Sequence, residues 1–262
     1  MPDISKVSGI AVNSIAKMSG VTKASMAKFG GIAKPSASSA DIVFSDVTVS
    51  SFDRTVSASS PFNADLPTTA STGDFVMVLY SNDMFISGNR TITPTGWTLR
   101  QHAGDSSSDS HLHVYTRVFD GTEGSTVPFA PPFNISMGGV AWSMICENID
   151  TTNPVGTNTT DIERSGDSLT IPAATSSSAG TFIAYAGFDG ADGDPLTMTN
   201  NGGFTLTSGG SEDVPANSSS SRHVTSAWAY ANIAASTSTG STDVDFNKND
   251  GKVGMHLMLQ RA

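Results

Sequence analysis

The chain has 262 residues, 15% of them charged, a formal net charge of −10 and one cysteine. That length can bury a sizeable core, no apolar run is long enough for a membrane-spanning helix, and a lone cysteine allows neither an intrachain disulfide nor a cysteine-based zinc site. The 39 serines and 29 threonines stand beside few helix formers, which disfavours a helical bundle, and the acidic balance disfavours a nucleic-acid grip.

Met1 to Lys6 lacks a basic stretch followed by an apolar run, so no secretory signal is expected. Five of the seven lysines (Lys6, Lys17, Lys23, Lys28 and Lys34) precede residue 35, against one acid, Asp3. This segment carries about +4 and leaves about −14 to the rest of the chain, an asymmetry that suggests an interaction segment. It repeats every eleven residues: Lys6, Lys17 and Lys28 match, as do Gly9, Gly20 and Gly31. The apolar triplets Ile4/Val7/Ile10, Ile15/Met18/Val21 and Met26/Phe29/Ile32 follow the same step. An eleven-residue period is compatible with a right-handed helical supercoil, but a glycine inside each repeat would cost roughly 0.8–1.0 kcal/mol in a helix. A disordered tail is the third option. The Ser-Gly and Gly-Gly pairs read more naturally as turns between very short extended pieces. Such pieces cannot bury their apolar side alone, so residues 1–34 are expected to form a β-rich stalk in which copies wind together, most plausibly as a homotrimer. The nine triplet residues would be its interface.

Residues 35–40 make a linker of small residues. Beyond it, strands are expected near 41–50, 75–81, 97–103, 111–119, 138–147, 168–173, 181–188, 204–208, 223–233, 242–246 and 252–260, separated by turn residues. This spacing predicts an all-β fold, an antiparallel sandwich of about ten strands over 41–262. Phe75 to Tyr80 is apolar at every position and should be a central strand. An internal duplication, about 54–148 and 164–262, is also legible. Gly73-Asp-Phe-Val aligns with Gly180-Thr-Phe-Ile, Gly96-Trp97 with Gly203-Phe204, and the strand after Gly139 with that after Gly254. Halves of about 95 residues bury both faces of their strands poorly, which favours one sandwich over two domains. Pairing of strand 41–50 with the second half would mark that arrangement.

Residues 111–119 alternate, with Leu112, Val114, Thr116 and Val118 on one face and His111, His113, Tyr115 and Arg117 on the other. The second set is the candidate ligand-binding face, an aromatic with polar neighbours suited to a glycan. His111 and His113, with His102 and Asp105 nearby, could attract zinc, but they read better as decoration of a solvent face. Asp189–Asp194 and Asp245–Gly251 form oxygen-rich turns; the second nearly follows a calcium loop, yet His256 occupies the place of the bidentate glutamate. Turn chemistry accounts for both, so neither a metal nor a cofactor is assigned. Trp97, Trp142 and Trp228 read as core. No nucleophile elbow, phosphate-binding loop or dinucleotide fingerprint occurs, and no catalytic residue is assigned.

Several stretches carry a resemblance. Gly73-Asp with its apolar strand, Pro94-Thr-Gly-Trp97-Thr-Leu, Val114-Tyr-Thr-Arg-Val-Phe-Asp-Gly-Thr-Glu, Val140-Ala-Trp-Ser-Met-Ile and Thr152-Asn-Pro154 together resemble a jelly-roll-like module of tailed-bacteriophage fibre and decoration proteins. The repeats Lys6-Val-Ser-Gly-Ile-Ala and Lys17-Met-Ser-Gly-Val-Thr are similar to segments of phage virion proteins. The resemblance implies a virion component made in the host cytoplasm, commonly trimeric, anchored by its amino-terminal end to capsid or tail proteins. It implies a head fibre, tail fibre or capsid decoration protein rather than an enzyme. A host-glycan adhesin on the same fold is the alternative, and a glycoside hydrolase a weaker one. Neither nucleic-acid binding nor membrane insertion is expected.

Overall fold

Two five-stranded antiparallel sheets packed face to face form the centre of the unit spanning residues 40–262, and each is covered on its outer face by a smaller sheet. The computed structural model describes residues 40–83, 92–104, 110–131, 134–189, 196–214, 224–246 and 251–262, with paired dipeptides inside 1–39. Residues 1–39 and 40–262 are separate compact units.

In the first unit, strands β1 (Lys6–Val7) and β2 (Ile10–Ala11), β3 (Lys17–Met18) and β4 (Val21–Thr22), and β5 (Lys28–Phe29) and β6 (Ile32–Ala33) form three hairpins. Their registers are the same: Val7 faces Ile10, Met18 faces Val21 and Phe29 faces Ile32. The period of eleven is therefore a period of paired dipeptides. Ile4, Ile15 and Met26 lie outside the described residues.

The second unit begins with β7 (Val43–Val56), β8 (Phe62–Asp65), β9 (Phe75–Asp83), β10 (Thr98–Ala103), β11 (Ser110–Val118), β12 (Thr126–Phe129) and β13 (Ile135–Glu147). Then follow β14 (Val155–Glu163), β15 (Ser168–Ile171), β16 (Gly180–Phe188), β17 (Thr197–Asn200), β18 (Thr207–Val214), β19 (Val224–Ile233), β20 (Thr242–Asp245) and β21 (Lys252–Gln260). Pairing is nested: β7 with β13, β8 with β12 and β9 with β11, then β14 with β21, β15 with β20 and β16 with β19. A long hairpin rolled into two layers is the jelly-roll plan, and the chain executes it twice. The sheet orders β10-β11-β9-β13-β7 and β18-β19-β16-β21-β14 are the same order in the two halves.

Smaller features repeat as well. An extra residue bulges from β10 between Leu99 and Gln101, and from β18 between Ser208 and Gly210. In β7 and β14 two residues oppose one of the neighbour, at Asp46-Val47 and Gly156-Thr157. The edge strands of one sheet meet those of the other by matching contacts. Ser51 Oγ on β7 donates to Glu212 Oε1 on β18 at 3.2 Å, and Asn158 Nδ2 on β14 donates to Gln101 Oε1 on β10 at 2.8 Å. The turns before Trp97 and Phe204 both use a glycine at φ +82°, Gly96 and Gly203, a conformation that favours glycine.

Further details differ from the expectation, beside the added strands β8, β12, β14 and β17. Strand β7 pairs with β13 inside its own half, so the halves are joined by face-to-face packing and not by exchange of a strand. Aligning Gly73 with Gly180 would also put Phe75 on Phe182. Phe75 lies between the large sheets while Phe182 lies outside the second one, so the equivalence is one residue off, Met77 corresponding to Ile183.

The shared core between the large sheets takes Met77, Leu79, Val114 and Trp142 from one side and Ile183, Tyr185, Trp228 and Met255 from the other. Every residue of β9 and β16 is buried. Outside the first sheet, β8 and β12 cover Val76, Val78, Tyr80 and Tyr115 with Phe62 and Phe129. Outside the second, β15, β17 and β20 cover Ala184, Ala186 and Phe188 with Leu169 and Val244. Trp97, Trp142 and Trp228 are all buried.

Backbone packing at Gly180 is tight enough to test. A Cβ there would stand 1.9 Å from the Leu259 carbonyl oxygen, whereas one at Gly124 would meet nothing within 4 Å. Gly180→Ala is expected to lower stability in urea by about 1–3 kcal/mol, the usual scale of overpacking, and Gly124→Ala to leave the midpoint unchanged.

Candidate functional site

The side chains singled out on β11 sit on one face together, but that face is interior. His111, His113 and Tyr115 are each no more than 1% exposed. Alternation told correctly which residues share a face; Phe62 and Phe129 of β8 and β12 belong to the cluster that covers Tyr115, and the His102 ring lies against His111 and His113. The glycan-stacking surface expected there does not exist, and the histidines are not solvent decoration.

They form instead a buried aromatic row. Tyr115 lies parallel to His113 at 5.9 Å, His113 is 5.8 Å from Tyr80, and Tyr80 stacks on Phe129 at 4.2 Å. The phenol of Tyr115 donates to the Ile92 carbonyl at 2.6 Å, and burial raises its pKa. At the other end of the row, His102 of β10 approaches His113 with ring centres 4.6 Å apart. His102 Nε2 and His111 Nδ1 are 3.2 Å apart, so one ring donates to the other and at least one of the pair must be neutral. Asn82 Nδ2 donates to His113 Nδ1 at 3.4 Å. The rings stack and do not converge; among the described residues no group of three or more His, Cys, Asp or Glu is arranged to hold a metal ion.

Arg117, the fourth residue of the set, acts locally. Its Nε pairs with Glu123 at 2.7 Å and its guanidinium with Asp120 at 3.2 Å, fixing the turn between β11 and β12. Burial pushes the Glu123 carboxyl up, but the backbone N–H groups of Asp120, Glu123 and Gly121, together with Arg117, outweigh this and hold it below the usual range.

His256 lies on β21, turned inward, not in a calcium loop. Its Nε2 and Nδ1 meet Thr242 Oγ1 at 2.8 Å and Thr239 Oγ1 at 3.2 Å. The oxygen-rich residues 190–194 and 247–250, Asp105 and Asn89 lie outside the described residues.

Sequence reasoning missed an open recess among the described residues. A groove of about 800 Å³ runs between β7, at Thr48 and Val49, the loop 65–72 and the loop 119–125. Its shape originates at the bulge in β7. There Asp46 takes φ +45° and its carboxylate accepts from Thr69 N at 2.6 Å and Thr69 Oγ1 at 2.8 Å. The Thr69 N–H, the largest cause, and its hydroxyl hold the Asp46 carboxyl below its ordinary range. That contact pins one wall, and the Arg117–Glu123 pair stiffens the other.

The second half shows what the same place looks like when closed. Thr48 Oγ1 donates to the Asp65 carbonyl in one half and Thr159 Oγ1 to the Pro172 carbonyl in the other, which sets the correspondence. Past that point, Thr239 N donates to Ala174 O, Ser176 N to Thr237 O and Ser236 N to Ser176 O, at 2.8–2.9 Å. Ala174 N also donates to Thr239 Oγ1 at 2.9 Å. In the first half the loops are joined across only near their ends among the described residues, by Leu66 N to Ser125 O and by Gly73 N to Phe119 O. Between those ties the groove stays open.

Comparison with known proteins returned no family model, no curated protein and no solved structure that matches this chain.

The buried histidines make stability depend on pH. Burial lowers the pKa of His102 and His113, the latter further through its histidine neighbours, and pushes that of His256 down to about 4. Below about 6.5 the unfolded chain takes up protons that the folded chain refuses, so stability falls as pH drops from 6.5 toward 4. For His256 alone the loss should reach on the order of 3 kcal/mol by pH 4. Urea midpoints should therefore decline across this window, and His256→Gln, which can still bond Thr239 and Thr242, should flatten the decline.

Proposed function

We propose that this protein is a non-enzymatic structural component of a tailed-bacteriophage particle. The duplicated sandwich is displayed at the particle surface, and residues 1–34 anchor it to capsid or tail proteins while joining copies into a homotrimer. The observation that carries this reading is the succession of three hairpins in one register, eleven residues apart. A two-residue hairpin is far below independent stability in water. Repetition at fixed spacing makes sense where each hairpin packs on the same element of a neighbouring copy. Burial of apolar side chains across copies, roughly 1.5–3 kcal/mol for each one fully buried, would then hold the segment together.

Charge supports the same division. The anchoring segment carries five of the seven lysines, whereas the sandwich is strongly acidic and repels its own copies. The oligomer contact therefore belongs to the basic segment. The resemblance to fibre and decoration proteins rests on framework residues, which fits a display role. The glycan-adhesin reading loses its original residues because the β11 face is buried.

The reading predicts a simple change of state. The full chain should behave as a trimer in light scattering and a chain lacking residues 1–34 as a folded monomer. A truncated protein that remains trimeric would place the interface on the sandwich and overturn the anchoring role.

A further inference from the structure

We infer that the groove between β7 and the loops 65–72 and 119–125 is a binding site for a neutral oligosaccharide. At about 800 Å³ it has the size of small-molecule sites in general. It is specific to one half of a duplicated fold: the corresponding loops of the second half are stitched by four hydrogen bonds, from Ala174 and Ser176 to Ser236, Thr237 and Thr239. Closing the recess is thus a solution this architecture already contains, and the first half does not use it.

The lining sets the ligand class. Val49, 42% exposed although apolar, stands on one wall, and Pro67 and Phe119 contribute apolar surface deeper in. Between these lie the exposed hydroxyls of Thr72 and Ser125 and the carboxylate of Asp65. Among the described residues the Asp65 carboxylate accepts only from Ser50 Oγ, at 3.4 Å, which leaves it able to take paired donors such as neighbouring sugar hydroxyls. The other lining carboxylate, Glu123, is neutralised by Arg117 and by backbone N–H groups. One available carboxylate, several hydroxyls and apolar patches suit an uncharged polyhydroxyl ligand with C–H faces. Anionic sugars and phosphates would meet a carboxylate on an acidic domain, and a polycation would find a single available countercharge.

The test uses the full chain. It is applied to a printed array of neutral oligosaccharides built from glucose, galactose, mannose and N-acetylhexosamines, beside sialylated and sulfated ones, and the hits are titrated by calorimetry. Oligolysine is titrated in parallel. The assignment expects a neutral hit whose affinity drops at least tenfold in both Asp65→Ala and Ser125→Trp, with melting temperatures unchanged. Hydrogen exchange of the wild type should show protection in residues 65–72 on adding that hit, a readout that holds even if a variant folds poorly. The assignment is overturned if no neutral oligosaccharide binds, if both variants bind as tightly as the wild type, if the protection maps elsewhere, or if only anionic glycans or oligolysine bind.

Discussion

The constraint on which everything else depends is that the central strands are apolar on both faces. All nine residues of β9 and all nine of β16 are buried, and such a strand cannot stand at a surface. A single jelly-roll half covers one face of its large sheet with a two- or three-stranded lid and leaves the other bare. Packing two halves on those bare faces satisfies both at once, and the pooled side chains from Met77 to Met255 form a core neither half could close alone. The duplication is therefore a packing solution, and the sheets meet along the surface each half most needs to hide.

Face-to-face pairing leaves four strand edges, on β7, β10, β14 and β18, and each carries a bulge. A bulge twists an edge and interrupts the regular ladder that a foreign strand would need, which keeps an otherwise sticky sandwich from growing sideways. This matters for β7, where Val43, Val47 and Val49 are exposed. The same bulge places Asp46 where it can tie down Thr69, so a device that protects the edge also builds a wall of the groove.

Legibility in the sequence followed apolar content. The central strands of the large sheets, the turn glycines at 96 and 203 and the buried tryptophans announce themselves because hydrophobic runs and left-handed turns leave residue-level marks. Strands β8, β12, β14 and β17 escaped: three have only four residues, and β14, Val-Gly-Thr-Asn-Thr-Thr-Asp-Ile-Glu, is a polar edge. Missing β8 and β12 had a direct consequence, since Phe62 and Phe129 on those strands help cover Tyr115. Periodicity says which side chains share a face, while the cover over that face is a long-range fact. The groove was invisible for a related reason. Whether two loops are stitched together turns on backbone bonds such as Thr239 N to Ala174 O, which no residue pattern records.

The two halves then serve as controls for each other. Matching the bulges of β10 and β18 aligns Tyr115 with Ala229 and His113 with Ala227. The framework accepts either a ring or a methyl group at these places: Phe62 and Phe129 share a cluster with Tyr115 in the first half, and Leu169 and Val244 share one with Ala227 in the second. What is common to both halves, the strand order, bulges and turn glycines, is what the fold requires. What differs, the imidazole row and the open groove, is what the fold leaves free, and a function layered on a duplicated scaffold belongs among those differences. Of the two, the imidazole row is sealed and shapes how the sandwich responds to acid. The groove presents its differing chemistry to solvent, on loops outside the strands of the large sheets.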